Sequence, residues 1–432
     1  MNIAVIGTGY VGLVAGAMFA KVGNHVTCVD INEQIIAQLT AGTIHFFEPG
    51  LQEVVTSAVA AGNLHFTTSI ADAVPGADIT FIAVGTPSEE SGAFNMDYVH
   101  AAAKDIAAVL QGKKHIVVLK STVLPSTYTE VRKILGSKVE VVSNPEFLRE
   151  GRALGDFEKP DRVIIGTESE EVFEKVHSLY APFLKESDPA MRMKPVSAIL
   201  TKLFSNTMLY ARIALVNEFA QIASAMNADT VLADMEEIRK GMGRDARIGT
   251  AYLYPSAGVG GSCFPKDDRA LREFSKEMGL DLPITFAVDR SNDVHKLYMP
   301  QKVEKHLGSL QGKTIGVWGV AFKARTSDIR ESASLAAIDY FLEKGARVRV
   351  HDPKALEEAK EHYGDRVTCC DDKYDAVAGA DCLVVMTEWD EYKIPDFAKL
   401  QELLRAPVIF DGRNIYDPAM QGFTYFGVGR QG

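Results

Sequence analysis

A glycine-rich turn at residues 7–12, GTGYVG, lies between a strand-like run, NIAVI, and a helix-like run, LVAGAMFAKVG. In this spacing the first glycine permits a tight turn and the second lets the backbone approach a pyrophosphate. The third allows close packing of a helix whose N-terminus faces the anion. The turn therefore predicts a parallel α/β unit that holds a dinucleotide at Gly7, Gly9, Tyr10, Val11 and Gly12.

An acidic residue, Asp30, ends the next strand-like run, HVTCVD, eighteen residues after Gly12. A carboxylate there can accept hydrogen bonds from the adenosine ribose and would repel a 2′-phosphate. We therefore expect NAD rather than NADP, and we weigh this against a merely structural glycine-rich turn. A related run in the second half, GVWG at 316–319, lacks the full fingerprint, so we expect it to hold a different ligand or none.

Short β-branched runs alternate with helical patterns through the first half of the chain, at NIAVIG, HVTCVD, DITFIAVG, HIVVLKST and VEVVSNPEF, with RVIIG at 162–166 as a further candidate strand. They alternate again after Pro300, at TIGVWGVAF, ARVRVHD, ADCLVVMTEW and PVIFDG. Continuous apolar strands separated by helices imply crossover connections, so each half should be a Rossmann-like, doubly wound parallel sheet. Between the halves, apolar residues recur at helical spacing from Ser197 to Met226, which predicts one long central helix. We expect an α/β protein with an NAD-binding domain at 1–195, a helical dimerisation domain at 196–300 and a second Rossmann-like domain at 301–432.

The composition of the chain limits the classes of partner that it can bind. The 432 residues carry a formal net charge of −11, which disfavours binding to nucleic acid or to an anionic membrane. The five cysteines are an odd number without CxxC spacing, which favours a reducing compartment. No apolar run approaches the roughly 18 residues that a membrane span requires. We therefore expect a cytoplasmic protein with no metal, nucleic-acid or membrane partner.

A second motif, GGSCFPKD at 260–267, precedes another helix-like run. With Pro265 as the first helical residue, Cys263 would lie just outside the helix N-terminus, where the helix dipole favours a thiolate. Lys266 would lower the thiol pKa further, and Asp267 would orient a proton or a water. A single cysteine is more often a small buried apolar residue. From these residues alone, a catalytic and a structural role for Cys263 are equally open.

Over essentially its whole length the chain resembles the UDP-glucose/GDP-mannose dehydrogenase family. The motifs that carry the resemblance are GTGYVG at 7–12, FEPGL at 47–51, VGTP at 84–87, KSTV at 120–123, SNPEFLREG at 143–151, Lys202 with Asn206, RIG at 247–249, GGSCFPKD at 260–267, FK at 322–323, DIRES at 328–332 and FDGR at 410–413. The family has two Rossmann-like domains joined by a long helix that forms a dimer. The resemblance therefore implies a homodimer or higher homo-oligomer that oxidises a UDP-sugar, UDP-glucose to UDP-glucuronate, with two NAD.

The same resemblance makes Cys263 a covalent nucleophile. Its thiolate would trap the aldehyde as a thiohemiacetal, a second hydride transfer would give a thioester, and water would hydrolyse the thioester. Lys202 and Asn206 are four residues apart on the long helix and would stabilise the alkoxide and the oxyanions. The plainer interpretation of this pair is a solvated lysine beside an ordinary polar residue.

Two carboxylates follow Pro145 at the same spacing of four residues, Glu146 and Glu150. The resemblance implies that one of them serves as base or water activator, and which one does so stays open. Thr122 and Asp267 resemble the groups that hold the catalytic water. In isolation, a surface ion pair would be the default for either glutamate.

Binding residues are carried over from the family position by position. The cofactor contacts beyond the glycine turn and Asp30 are Thr86, Pro87, Ser121, Thr122, Glu150, Lys266 and Arg330. The substrate contacts are Glu146, Phe147, Leu148, Arg149, Glu150, Lys202, Asn206, Arg247, Tyr252, Leu253, Tyr254, Ser256, Gly258, Gly260, Phe322, Lys323 and Arg413. Arg247 resembles an arginine that reaches the sugar site of the neighbouring subunit. For any one of these basic residues alone, a solvated position is the plainer interpretation.

Two departures from the family pattern leave fine substrate preference open. Val259 stands where the family often has tyrosine, and KSTVLPST at 120–127 differs from the commoner KSTVPVGT. GDP-mannose or another UDP-sugar is therefore the alternative substrate. An ordinary two-electron dehydrogenase would need no cysteine and would yield one NADH per substrate. A non-catalytic NAD-binding sensor would tolerate loss of Lys202 and Cys263.

Overall fold

The computed structural model describes residues 1–184, 189–226 and 233–431. The chain divides into two compact units, residues 1–205 and 206–432. The division falls inside the long central helix. The predicted domain limits at 195 and 300 stay predictions, and residues 227–232 of the predicted middle domain lie outside the described residues.

The first unit is built on one sheet, mostly parallel as the sequence predicts. Its strands are β1 Asn2–Ile6, β2 His25–Val29, β3 Leu64–Thr67, β4 Ile79–Ile82, β5 His115–Leu119, β6 Val139–Ser143, β7 Val163–Gly166 and β8 Ala190–Met193. They lie in the order β3-β2-β1-β4-β5-β6-β7-β8, with β6 and β7 antiparallel. The first six strands thus have the strand order of a Rossmann fold.

Helices connect these strands and cover the sheet. They are α1 Tyr10–Lys21, α2 Glu33–Thr40, α3 Leu51–Ala60, α4 Ile70–Ala73, α5 Asp97–Leu110, α6 Pro125–Leu135, α7 Ala153–Glu158 and α8 Glu170–Tyr180. Residues 12–20 of α1 are buried, because a helix that is apolar on all sides must be covered on all sides. In this core the ring of Phe19 lies 5.3–5.4 Å from the rings of Phe81, Phe157 and Tyr180.

The predicted long helix is α9, which runs from Pro195 to Met226. The remaining helices are α10 Met235–Gly243, α11 Phe264–Glu277, α12 Pro283–Lys296, α13 Tyr298–Leu307, α14 Ala333–Glu343, α15 Leu356–Tyr363, α16 Lys373–Val377, α17 Asp390–Lys393 and α18 Phe397–Leu403. Helices α9 to α13 follow one another without an intervening strand in the described residues, so the predicted helical middle is confirmed. Within the described ranges, no helix is both long and apolar enough to span a membrane.

The second unit repeats the strand order of the first. Its strands are β9 Thr314–Trp318, β10 Arg347–His351, β11 Thr368–Cys369, β12 Cys382–Val385, β13 Val408–Asp411 and β14 Thr424–Gly427. They lie parallel in the order β11-β10-β9-β12-β13-β14. The predicted α/β class, with two Rossmann-like sheets, is thereby confirmed.

Candidate active site

The glycine turn at 7–12 joins β1 to α1, as predicted. Gly7 has a φ of +100°, and a Cβ on it would lie 2.7 Å from the Ala83 carbonyl oxygen. A Cβ on Gly12 would lie 2.0 Å from the Gly7 carbonyl oxygen. Apart from the neighbours of Gly9 in the chain, no atom of the described residues lies within 4 Å of a Cβ built on Gly9. Gly7 and Gly12 are therefore required by packing, whereas Gly9 leaves open space at the N-terminus of α1, which suits a pyrophosphate.

Asp30 lies at the end of β2 beside this turn. Its Oδ2 accepts hydrogen bonds from the Thr8 backbone N–H at 2.9 Å and the Thr8 hydroxyl at 2.8 Å. Its Oδ1 accepts one from the Asn32 backbone N–H at 3.0 Å. Asp30 therefore fixes the turn as well as presenting an acid, and its contact with the ribose stays a prediction.

The motifs that are predicted to bind the cofactor lie at one edge of the first sheet. VGTP follows β4, KSTV follows β5 and SNPEFLREG begins at the end of β6. The carboxyl ends of parallel strands meet at the same edge, which is where α/β proteins bind ligands. The Ser121 hydroxyl donates to the Val84 carbonyl at 2.7 Å, so the first two motifs are bonded to each other. This edge carries Thr86, Pro87, Ser121 and Thr122.

A buried carboxylate, Glu48, holds the SNPEFLREG segment in place. It accepts hydrogen bonds from the Tyr10 hydroxyl at 2.7 Å, the Gly151 N–H at 2.6 Å and the Ala153 N–H at 2.8 Å. Burial, with the Glu48 charge, raises the pKa of Tyr10 above its usual range. Glu48 therefore ties the start of α1 to the segment that bears Glu150. The FEPGL motif contains Glu48, but sequence reasoning gave it no role.

Glu146 and Lys202 form a buried ion pair. The Lys202 Nζ lies 2.8 Å from Glu146 Oε1, and the Leu148 backbone N–H donates to Glu146 Oε2 at 2.6 Å. The ring of Phe147 lies 5.5 Å from the Lys202 Nζ. The interpretation of Lys202 as a solvated lysine is therefore wrong. Glu150 is half-buried and Arg149 is exposed, with Arg149 bonded to Asp156 at 2.9 Å.

Lys120 is a second buried cation that sequence reasoning missed. Its Nζ donates to Asn144 Oδ1 at 3.0 Å and to the Tyr180 hydroxyl at 3.1 Å. Burial lowers the pKa of Lys120 to about 8, Lys202 adds to this effect and Glu146 opposes it. Because Asn144 precedes Glu146 by two residues, this network fixes the turn that carries Glu146. Its signal in the sequence was a lysine directly after an apolar strand.

Cys263 is at the N-cap of α11, which begins at Phe264. The prediction that Pro265 is the first helical residue is wrong by one position, because the proline occupies the second position of the first turn. Among the five cysteines, all within the described ranges, Cys263 is the exposed one. Burial raises the pKa of the Cys28 thiol to about 12. Exposure and the helix N-terminus distinguish Cys263 as the cysteine suited to react.

The first turn of α11 also carries a buried carboxylate, Asp267. Asn206 Nδ2 donates to Asp267 Oδ2 at 2.7 Å, and Lys266 Nζ lies 2.9 Å from Asp267 Oδ1. The structure therefore brings Asn206, Asp267 and Lys266 together at the helix end where Cys263 lies. Lys266 is thus ion-paired with Asp267, and its predicted effect on the thiol stays a prediction.

The segment 252–260 packs against α12 and the loop that follows β9. The Ser256 N–H donates to Asn217 Oδ1 at 2.9 Å, and His295 Nε2 lies 2.7 Å from the Ser256 carbonyl oxygen. A Cβ on Gly258 would lie 2.8 Å from Lys296 Cγ, and one on Gly260 would lie 2.7 Å from the Glu331 carbonyl oxygen. Within this segment Tyr252 has a φ of +59°, Leu253 is buried and Tyr254 is exposed.

The other predicted arginines lie in three different settings. The Arg413 Nε donates to the Met386 carbonyl at 2.7 Å, and its NH2 donates to the Phe322 carbonyl at 2.5 Å, so Arg413 holds the backbone beside Lys323. Arg247 and Arg330 are exposed, and each is bonded to the aspartate two residues before it at 2.7 Å. Arg247 is thus bonded to Asp245, and its contact with the substrate stays a prediction.

The turn after β9 is closed by its own acid, Asp352. Asp352 Oδ2 accepts hydrogen bonds from the Val320 N–H at 2.8 Å and the Ala321 N–H at 3.0 Å. Its Oδ1 accepts from the Lys354 and Ala355 N–H groups, each at 2.9 Å. This turn is thus held by its acid as the turn at 7–12 is held by Asp30, with the Ala321 and Ala355 N–H groups as additional donors. No group of three His, Cys, Asp or Glu residues placed to hold a metal ion occurs in the described ranges.

Three segments of the chain match three domains of one protein family. Residues 1–184 match the NAD binding domain of the UDP-glucose/GDP-mannose dehydrogenase family, which confirms NAD as the cofactor. Residues 196–294 match the central domain of that family, and residues 316–418 match its UDP binding domain. The last match agrees with the expectation that the second sheet holds a different ligand from the first.

Full-length relatives and solved structures are also similar. The chain is 41% identical to a UDP-glucose 6-dehydrogenase of Pseudomonas aeruginosa, with 100% of this chain and 98% of the relative covered. It is 40% identical to one of Rhizobium meliloti, with both chains fully covered. A UDP-glucose dehydrogenase of Pyrobaculum islandicum has a TM-score of 0.90 at 38% identity, covering 99% of this chain and 97% of that one. A UDP-D-ManNAc dehydrogenase of Pyrococcus horikoshii has a TM-score of 0.86 at 27% identity, covering 100% and 99%.

These matches span the chain from the glycine turn to the strands of the second sheet, and the motifs that they contain have the geometry described above. The chain therefore belongs to the UDP-glucose/GDP-mannose dehydrogenase family.

Proposed function

We propose that this enzyme oxidises UDP-glucose to UDP-glucuronate through a covalent intermediate on Cys263. The observation that carries the proposal is the exposed thiol of Cys263 at the N-cap of α11, with Asn206 and Asp267 bonded together at the same helix end. The substrate is inferred from the relatives and the solved structure, which act on UDP-glucose by name.

The chemistry requires two oxidations at one carbon. NAD, when bound, accepts one hydride in each. In the first, the hydroxyl oxygen also gives up its proton to a base, for which Glu146 and Glu150 are the candidates, and the alcohol carbon becomes an aldehyde. The Cys263 thiolate then adds to that carbon to form a thiohemiacetal whose oxygen takes up a proton. Loss of that proton and of the second hydride gives a thioester. Water then adds to the thioester carbon and the thiolate leaves, which yields the carboxylate.

We assign to Lys202 and Asn206 the stabilisation of the negative oxygen in these steps. A buried ammonium and a buried amide act strongly on such charge, because little water screens them. The partners of these groups, Glu146 for Lys202 and Asp267 for Asn206, hold both side chains in place before any reaction. Thr122 and Asp267 are proposed to hold the catalytic water, and one of Glu146 and Glu150 to activate it.

The substrate and cofactor contacts carried over from the family are proposals of the same kind. Two features support the proposed substrate contacts in the second unit. The segment 252–260 is fixed by buried partners, Asn217 and His295. Arg413 orients the backbone at Phe322, next to Lys323. For Arg247, a side-chain exposure of 89% fits a role outside its own subunit.

We also propose a homodimer, formed along α9, in the cytoplasm. Met208, Leu215 and Ile222 are 51–65% exposed although apolar. Seven residues correspond to nearly two helical turns, so these side chains form one stripe along the helix. An exposed apolar stripe of this length is typical of an interface.

The test is to incubate the purified protein with UDP-glucose and excess NAD and to count NADH per sugar consumed. Two NADH per sugar, with a UDP-sugar acid as product, would support the proposal. One NADH with free aldehyde would reject the role of Cys263. Turnover of GDP-mannose or UDP-D-ManNAc in place of UDP-glucose would keep the chemistry and replace the substrate.

A further inference from the structure

We propose that Glu331 is a positioning residue for the Cys263 nucleophile: its carboxylate joins two helices, and its backbone supports the loop that leads to Cys263. This inference rests on the nucleophilic role proposed above for Cys263. All the residues involved lie in the second unit.

The carboxylate of Glu331 bridges α11 and α12. Its Oε1 accepts a hydrogen bond from Arg269 NH1 at 2.8 Å, and its Oε2 accepts one from Lys296 Nζ at 3.0 Å. Arg269 lies on α11, the helix that Cys263 caps. Burial acts to raise the pKa of Glu331, but the charges of Lys296 and Arg269 outweigh it and hold the pKa below its usual range. Glu331 is therefore ionised at neutral pH and attracts both cations.

The backbone beside Glu331 supports the GGSC loop. The Gly261 N–H donates to the Arg330 carbonyl at 2.9 Å. A Cβ on Gly260 would lie 2.7 Å from the Glu331 carbonyl oxygen, and one on Gly261 would lie 2.7 Å from the Phe322 ring. The loop thus runs in direct contact with residues 330–331, two residues before Cys263.

The backbone of Glu331 itself is in a strained conformation. Its φ is +54°, in the left-handed region that glycine adopts without strain. A residue with a side chain adopts this conformation only at a cost in free energy. Glycine would remove the strain, so the presence of a glutamate points to a requirement for its carboxylate. The two cations on α11 and α12 account for that requirement.

Three connections therefore converge on Glu331: Arg269 on the helix of Cys263, Lys296 against Gly258 in the segment 252–260, and the backbone contact with Gly260 and Gly261. Together they fix the direction in which the loop enters α11. That direction determines whether the sulfur of Cys263 lies at the positive end of the helix, where the thiolate is stabilised.

The test compares Glu331→Gln with the wild-type enzyme. We expect kcat to fall about tenfold while KM for NAD and for UDP-glucose changes less than twofold, because the Glu331 carboxylate is bonded to Arg269 and Lys296 and is not among the proposed ligand contacts. The second readout is the rate at which iodoacetamide alkylates Cys263 as a function of pH, followed on the Cys263 peptide by mass spectrometry. We expect its midpoint to move to higher pH in the variant. A purely structural residue would lower the melting temperature and leave that midpoint in place.

Two further variants keep the result interpretable. Glu331→Gly relieves the strained φ and loses the carboxylate, so it should fold at least as well as Glu331→Gln and show the same loss of kcat. Glu304→Gln is the matched control, because Glu304 bridges Tyr340 and Lys344 on elements that carry none of the proposed site residues. It should leave kcat and the alkylation midpoint unchanged.

Wild-type kcat and an unmoved midpoint in both Glu331 variants would overturn the inference. The failure of the proposed function has a different signature: Cys263→Ala would still make acid at the normal rate, whatever the Glu331 variants do. The pH profile of alkylation reports on the position of Cys263 whether or not the proposed function is correct.

Discussion

The Nζ of Lys202 lies 2.8 Å from Oε1 of Glu146, and both side chains are buried. Breaking such a pair leaves a buried charge without its partner, so we expect Lys202→Met to lower the free energy of unfolding by about 3 kcal/mol. Adding Glu146→Gln to Lys202→Met should recover part of that loss, because the unpaired charge is removed as well. Denaturant unfolding of the two single variants and the double variant measures this coupling. Strictly additive effects would show that the pair does not contribute as an ion pair.

Replacement of Cys263 separates chemistry from cofactor binding. We expect Cys263→Ala to abolish acid formation and to leave the Kd for NAD within twofold of the wild-type value, because the thiol acts after NAD has bound. Product analysis and calorimetric titration with NAD provide the two measurements. Cys369→Ala, at a half-exposed cysteine on β11, is the control and should retain full activity. Acid formation at the normal rate in Cys263→Ala would exclude the covalent mechanism.

Two glycines of the 7–12 turn should respond differently to the same substitution. Gly12→Ala places a methyl group 2.0 Å from the Gly7 carbonyl oxygen, so we expect clear destabilisation. Gly9→Ala meets no atom within 4 Å and has a φ of −64°, so the free energy of unfolding should change by less than about 0.5 kcal/mol. Gly9→Ala should nevertheless weaken NAD binding at least tenfold, because the methyl group occupies the space left for the pyrophosphate. Unchanged NAD affinity in Gly9→Ala would contradict this assignment.

The burial of His295 predicts that the protein loses stability in acid. It is buried, with Nε2 2.7 Å from the Ser256 carbonyl oxygen and Nδ1 2.8 Å from Gln221 Nε2. Burial lowers its pKa to about 4, although the bond to Ser256 opposes this shift. Below pH 6.5 the unfolded chain gains a proton that the folded chain does not, so stability should fall by about 3 kcal/mol as the pH approaches 4. Above pH 6.5 this group should have no effect.

Melting temperatures between pH 7.5 and 4.5 test this effect. His295→Gln, which keeps a donor for the Ser256 carbonyl, should be less stable than the wild type at pH 7.5 and show a smaller decline in acid. A wild-type curve and a variant curve of the same shape would show that other groups govern the acid response.

The stripe of Met208, Leu215 and Ile222 on α9 predicts the oligomeric state. We expect Leu215→Lys to convert the homodimer into a monomer, because a buried lysine would lose its hydration at the interface. Light scattering coupled to gel filtration gives the mass. Ile394→Lys is the control, since Ile394 is 87% exposed and lies in the second unit away from α9 in sequence. A dimer that persists in Leu215→Lys would place the interface elsewhere.

The sequence predicted the central strands better than the outer ones. Strands such as β1, β4 and β12 are buried on both faces and appear as continuous apolar runs. The outer strands β3, β8, β11 and β14 were missed. Most are short and half-exposed, as in LHFT and AMRM, because a strand at the edge of a sheet has one neighbour and needs fewer apolar residues.

The candidate site shows the same contrast between local and tertiary information. Motifs identified Gly9, Asp30 and Cys263, because their chemistry requires a particular residue type at a particular position. Glu48, Lys120 and Glu331 were missed, since their importance arises from partners far away in the chain. Glu48, for example, accepts hydrogen bonds from residues more than 100 positions later. No spacing rule predicts such a partner.

The turn after β9 has a consequence for engineering and inhibition. Asp352 stands at the end of β10 as Asp30 stands at the end of β2, and both acids accept backbone N–H groups of their own unit. Asp352 accepts two more such groups, from Ala321 and Ala355. The Ala321 N–H, which has the position of Gly9 in the first turn, is bonded to Asp352, so a GxGxxG sequence grafted onto this turn could offer that donor to a pyrophosphate only if the bond to Asp352 were broken. Redesign of cofactor preference, or design of an inhibitor that mimics NAD, can accordingly start from the first sheet, which matches the NAD binding domain of the family.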